Sequence, residues 1–391
     1  MTPPRASWSS RLKLDEPRGF AIQVGLVLLL CAAGAFVVGN VGANVARLNL
    51  RVGFDFLSRP AGFDIAQALI PYPETSTYLR AFWVALLNSV LLGALSIAGA
   101  TVLGLAVALL RLARNPLLAL IALGYIEAVR NIPLLLQLFF WYFAVLGPLP
   151  PPRQSLSLFD VVFLNKRGLA LPWPVPEPSF VAFIALLAVG LVAFVLLARA
   201  ARRKRIASGR SARGIWGAAL VALVLPFAST VVTGTPIAWD MPRLGGFNIA
   251  GGATVIPEFV AMVIGMTIYG SAFIAELIRG GIASVNRGQT EAGMSLGLSQ
   301  SRIYATIVIP QVFRAVLPPL TGQYITLFKN SSLAAAIGYP DLMLIFAGTA
   351  LNQTGQPLEI IGITMASYLL INLAIAAVAN VANGRMLRRE R

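Results

Sequence analysis

Apolar runs long enough to cross a bilayer recur along this chain, with cationic residues massed in the gaps between them. Soluble folds do not carry that pattern. The runs fall at about residues 20–40, 82–110, 132–146, 180–197, 215–233, 257–278, 320–339 and 360–381. A crossing helix needs about 20 mostly apolar residues, because the hydrocarbon core is about 30 Å thick and each residue rises about 1.5 Å. The sequence therefore predicts an all-α polytopic membrane protein with about eight transmembrane helices. Composition agrees: of 391 residues 57% are hydrophobic and 12% charged.

The net charge of +16 is explained by topology. Residues 199–213 carry seven Lys and Arg and no acid, and such a loop stays on the cytoplasmic side. With both termini cytoplasmic, 22 basic residues fall inside and 8 outside, leaving Lys329 in the membrane. The expected organisation is then residues 1–81 as cytoplasmic N-terminus, first anchor and external segment, and residues 82–382 as the transmembrane domain. An external Pro-rich loop and a helical hairpin interrupt that domain at about 148–256, and residues 383–391 form a basic cytoplasmic tail. The first run reads as an uncleaved anchor, since no small-x-small cleavage site follows it. Residues 116–147 are too long for one straight span. Glu127, Arg130 and Pro133 break them into an interfacial or cytoplasmic helix to about Arg130 and a crossing from Ile132 to Leu146. The polar, Gly-containing residues 341–358 read as an external loop.

Several function classes drop out. The cations lie between membrane runs rather than over a soluble surface with aromatic platforms, so lipid is the expected partner and nucleic acid is not. There is one cysteine and no histidine, which removes an internal disulfide, a Cys/His zinc site and a Ser-His-Asp triad. None of the four lysines follows a glycine, so the chain has no Walker A P-loop of its own. No catalytic residues, metal site or bound cofactor are expected.

One polar insert between the apolar runs is rich in helix signals. In residues 288–299 Thr290 is placed to cap a helix, Glu291 to favour the dipole in its first turn, and Gly297 to supply a left-handed stop. The spacing Glu291-Ala292-Gly293, then Gly297, then Ile307, Ile309 and Pro310 resembles the EAA loop of ABC-importer permeases. Gly293 and Ile309 replace the family's Ala and Leu. Gly288 and Gln289 precede the loop, as do Ser271-Ala272-Phe273-Ile274-Ala275-Glu276 and Arg279-Gly280-Gly281-Ile282. The stretch Arg130-Asn131-Ile132-Pro133-Leu134-Leu135-Leu136-Gln137 is similar to a segment of polar amino acid permeases.

The resemblance implies a five-helix type I ABC importer core, with the first anchor and the inserted hairpin as additions, most like the larger permease of general L-amino acid importers. It also implies an inner-membrane subunit that translocates L-amino acids. Its expected partners are a dimer of ABC ATPases that bind the ATP, a second homologous permease chain and a periplasmic amino-acid-binding protein. The EAA loop, with Gly288, Gln289, Glu291, Ala292, Gly293 and Gly297, is expected to couple to the ATPase.

A lysine near mid-membrane costs on the order of 2.5–3.5 kcal/mol, so Lys329 must face protein or water. Glu276 of a neighbouring span is one candidate partner. With Asn330, Ser331 and Ser332 it also forms a patch suited to a passing carboxylate, in a stretch that resembles the family's helix after the EAA loop. Asn88 and Gln137 are the other polar span residues assigned to the substrate pathway. The competing reading is an ion-coupled secondary transporter, which usually shows internal repeats and mid-membrane acids. Neither is evident here.

Overall fold

The computed structural model describes residues 17–48, 51–208, 234–246 and 248–388, together with Val224, Phe227 and Thr230. Helix α1, Pro17–Arg47, has a crossing segment that is entirely unburied. Helix α2, Tyr78–Arg111, starts where Thr77 accepts a hydrogen bond from the Arg80 amide. Helix α3, Pro116–Asn131, has its proline in the first turn, where the missing N–H costs nothing. Pro133 then forces a bend of 103° into α4, Leu134–Phe139, which widens into a π-helical stretch through Leu146. This is the break expected between Arg130 and Ile132.

Helix α5, Ser179–Ser208, is the first arm of the inserted hairpin and faces outward along most of its length. The run at 215–233 lies outside the described residues, apart from the three named above. Helix α6, Pro257–Ala283, is followed by short helix α7, Arg287–Ser295. A helical rod then begins with a turn at Gln300–Ile303 and a π-helical stretch at Tyr304–Val308. It continues as α8, Ile309–Asn330, passing through Pro318 and Pro319. A 3-10 segment, Ser331–Ile337, closes on Gly338 in the left-handed conformation, and α9 spans Pro357–Arg388. Among the described residues, six helices are long and apolar enough to cross a membrane, seven if the bent α3–α4 pair is one crossing.

Helices α2 and α6 pack closely because small residues let their backbones approach. A Cβ on Gly99 would lie 2.6 Å from the Thr267 hydroxyl, and one on Gly270 would meet Ala100 and Leu327. Leu92, Leu138, Met262, Met266, Ile274 and Leu327 form the core around this seam. A second cluster joins Phe56 and Ile65 to Tyr78 at the start of α2, Phe346, and Ile360 at the start of α9. Tyr339 packs on Phe259 near the start of α6, and its hydroxyl donates to the Asn88 carbonyl of α2. Helices α2, α6 and α9 therefore begin at one end of the bundle, and the rod runs the opposite way.

Two features depart from the sequence reading. Residues 343–354 are helical, not an open loop: Ile345, Phe346 and Ala350 are buried against α2 and α9, and that burial draws the segment inward. The segments flanking the hairpin form short strands instead of bare Pro-rich loops. Strands β1, Leu156–Leu158, β2, Val162–Asn165, β3, Gly168–Leu171, and β8, Ala253–Val255, make an antiparallel sheet in the order β1-β2-β3-β8. Strand β4, Trp173–Pro176, pairs with β5, Ile237–Asp240, and β6, Arg243–Leu244, with β7, Ile249–Ala250. This cap joins α6 at its start, and α7 follows its other end, so the two lie at opposite ends of a helix about 40 Å long.

Candidate coupling helix and substrate groove

Helix α7 begins one turn earlier than the sequence suggests. Asn286, not Thr290, is its cap, its side chain accepting from the Gly288 amide at 2.8 Å. Glu291 therefore sits in the second turn and Thr290 inside the helix. The stop is where expected: Gly297 has φ +73°, its amide donates to the Met294 carbonyl, and the Leu298 amide reaches back to the Gly293 carbonyl. This pair of bonds is the Schellman closure, which satisfies carbonyls that a helix end otherwise leaves open.

Gly293 is buried, and a Cβ there would lie 2.9 Å from Ile303 and 3.4 Å from Ile307. The glycine that stands where the family has alanine thus lets α7 lie against the start of the rod. Gly288, Gln289, Glu291 and Ala292 remain exposed, and Met294 and Leu296 are bare apolar side chains at 53% and 79% exposure. The helix offers a partner one carboxylate flanked by apolar surface.

The polar residues assigned to the pathway separate into two sets. Asn88 is wholly buried, and its Nδ2 donates to the carbonyls of Gln67 and Pro340 at 2.7 and 3.0 Å. Gln137 donates through Nε2 to the carbonyls of Val129 and Ile132, both at 2.9 Å. Val129 lies four residues before Pro133, which has no N–H to give it, so Gln137 serves the bend. Ser331 is also wholly buried and donates to the Phe328 carbonyl. Asn330 is half-buried at the end of α8.

Lys329 and Ser332 instead line an open groove of about 410 Å³, facing Met343, Thr364, Tyr368 and Asn372. Tyr368 is about 17 Å along α9, so the groove lies against the middle of that crossing helix. Glu276 is not the partner of Lys329. It forms a bidentate pair with Arg279, one turn on in α6. A second cleft of about 360 Å³ lies along α8 toward α7, lined by Arg130, Phe273, Glu276, Gln323 and Thr326. The Arg130 guanidinium stands 5.3 Å over the Phe273 ring. Gln323, Thr326 and Lys329 recur at helical spacing, so one stripe of α8 passes both hollows.

Behind the groove lies a residue that the sequence reading placed in a loop. Asp341 is fully buried, accepts from the Leu344 amide at 2.8 Å, and receives the Tyr368 hydroxyl at 3.4 Å. It sits in the turn after the rod, outside the crossing helices, and burial pushes its carboxyl up to about 7. Its signal was an acid directly after Tyr339-Pro340, and periodicity in an apolar run does not register a single buried acid.

Bundle, Schellman-closed loop helix and polar groove together define a membrane translocation subunit. Residues 214–391 match the family described as binding-protein-dependent transport system inner membrane component. The Escherichia coli K12 protein YhdX, named as an amino-acid ABC transporter permease, is 44% identical over 389 residues, 99% of each chain. The general L-amino acid transport system permease protein AapQ of Rhizobium johnstonii is 40% identical over 98% of this chain and 96% of its own. The glutamate/glutamine/aspartate/asparagine transport system permease protein BztB of Rhodobacter capsulatus is 34% identical over 100% and 99%. The chain belongs to the permease subunits of amino-acid ABC transporters.

Proposed function

We propose that this chain is the larger permease of an inner-membrane importer of general L-amino acids, with both termini and α7 on the cytoplasmic side. It works beside a second permease chain, above two ATPase subunits that bind the ATP, and receives its cargo from a periplasmic binding protein on the β-capped face. In this reading residues 1–81 are tail, anchor and external segment. Residues 82–382 are the translocating domain with its insertion at about 148–256, and residues 383–391 are the cytoplasmic tail. The reading is carried by α7: a closed helix that presents Glu291, Met294 and Leu296, buttressed by the rod that leads to Lys329, in a chain without a P-loop.

Substrate passes the groove of Lys329 and Ser332, where the three donors of the lysine ammonium offer a carboxylate several bonds that permit release, while the Ser332 hydroxyl donates to the Lys329 carbonyl. Replacing Glu291 with Lys, or Gly297 with Val at a cost on the order of 1–2 kcal/mol for the left-handed backbone, is expected to release or uncouple the ATPase. Co-purification of the ATPase and ATP-driven amino acid uptake in proteoliposomes measure this, and normal values for both variants refute the docking role. Lys329→Met is expected to assemble, keep basal ATP hydrolysis and lose uptake of neutral, basic and acidic amino acids alike. Uptake that survives ATP removal but fails when the proton gradient is collapsed supports the secondary-transporter reading instead.

A further inference from the structure

We infer that the ribbon of β4 and β5 is a membrane-surface anchor, lying on the leaflet opposite α7 among phospholipids whose headgroups end in an ammonium. The ribbon stands where a crossing helix begins. The crossing segment of α5, Ser179–Ala201, has 23 residues and measures about 34 Å, slightly more than the hydrocarbon thickness of about 30 Å. Ser179 therefore marks the edge of the headgroup layer. Only 6% of the segment's most apolar stretch is buried, so lipid surrounds this helix. The base of the ribbon is tied to the same point: the Ser179 hydroxyl donates to the Thr235 carbonyl at 3.2 Å, and the Glu177 amide to the Pro236 carbonyl at 3.1 Å. Trp239 is four residues beyond Thr235, at most about 14 Å of extended chain. The ribbon is thus continuous with a lipid-facing surface.

Its two faces differ. A lone pair of strands is marginal in water, and β4 and β5 pair only with each other among the described residues. Their register sets Pro174, Pro176, Ile237 and Trp239 on one face without a charge, and Trp173, Val175 and Asp240 on the other. Trp173 and Trp239 are 53% and 58% exposed, and an indole, apolar in body with one polar N–H, favours the membrane–water interface. Laid flat, the ribbon turns the Trp239 face to lipid and keeps Asp240 among the headgroups. Cross-strand pairing places Trp173 opposite Asp240, with Cβ atoms about 4.5–5.5 Å apart, and an indole face beside a carboxylate suits an ammonium. Charge selects the same occupant. Residues 172–179 and 234–242 carry the exposed acids Glu177 and Asp240 and no Lys or Arg, in a chain of net charge +16. Such a strip attracts an ammonium headgroup and repels an anionic one.

The test uses the assembled complex in vesicles of phosphatidylethanolamine and phosphatidylglycerol, with bromine carried on the acyl chains near the glycerol or near the chain end. The emission lost on Trp239→Phe reports that indole alone among the six tryptophans of the chain. This component is expected to be quenched more by shallow bromine than by deep bromine and to be shielded from aqueous iodide. The component lost on Trp173→Phe, on the outward face, is expected to be reached by iodide. Trp239→Tyr serves if the phenylalanine variant fails to assemble. Bromine is then confined to one lipid class at a time in equal mixtures. Brominated phosphatidylethanolamine should quench the Trp239 component about two- to fivefold more than brominated phosphatidylglycerol, the worth of one exposed cation–π contact. Replacing Glu177 with Gln together with Asp240→Asn should make the two lipids equal.

If iodide quenches the Trp239 component and neither bromolipid does, the ribbon stands in water and the anchor falls. Equal quenching by the two lipid classes in the native protein overturns the ammonium preference. Shielding from iodide that develops only when the binding protein is added makes the ribbon a protein-docking surface and refutes the lipid assignment.

Discussion

Asp341 links stability to pH in a direction opposite to most carboxylates. Its pKa rises from 3.8 to about 7 on folding, so the folded state holds the proton more tightly than the unfolded chain does. Stability present below pH 4 is therefore lost as pH climbs toward 7, with the loss levelling off above that, by roughly 4 kcal/mol at most. Asp341→Asn removes this dependence. The melting temperatures of native protein and variant in detergent are expected to diverge between pH 4 and 7 in favour of the variant, and parallel curves would contradict it. At this scale the sequence was partly legible. Gly297 could be read because few other residues adopt φ +73° without strain. Asn286 and Thr290 are both capping types four residues apart, and composition alone does not choose between them. In the structure the helix starts at Arg287, with Asn286 as its cap and Gly293 seated against Ile303.

The bend between α3 and α4 was legible as an element, because Pro133 disfavours helical backbone at Ile132 before it. The hydrogen bonds of Gln137 were not. A polar side chain in a membrane run reads as a pathway residue by default, yet here its amide serves backbone carbonyls that the proline leaves bare. Gln137→Leu keeps the size of the side chain and leaves the Val129 and Ile132 carbonyls unpaired. It is expected to lower stability by about 1–3 kcal/mol per carbonyl and to reduce the amount of assembled protein, with the KM for uptake unchanged. A raised KM with normal assembly would return Gln137 to the pathway. The same logic accounts for Asn88, which ties two loop carbonyls together at the opposite end of the bundle from α7. Strands β1–β8 were hidden because they are two to four residues long, too short for alternation to register among prolines.

Across the whole molecule the crossing helices were legible, since twenty apolar residues in a row admit few other folds, and their depth of packing was not. The long rod was the main loss: the apolar run at 320–339 marked only its far end, and the helix runs from Gln300 to Asn330 through Pro310, Pro318 and Pro319. Double replacement Pro318→Ala and Pro319→Ala restores backbone donors and stiffens the rod. It is expected to keep ATPase docking and hydrolysis while lowering uptake per ATP several-fold, and unchanged stoichiometry would show that the prolines carry no motion. If the rod swings at these prolines, their placement sets a gearing. From Gln300 to Pro318 the rod measures about 27 Å, and from Pro319 to Lys329 about 15 Å. A swing about that fulcrum moves the cation little more than half as far as it moves the seat of α7. A tilt of about 10° shifts Lys329 by some 2.6 Å, about the length of one hydrogen bond, so a small stroke at the base suffices to open its grip.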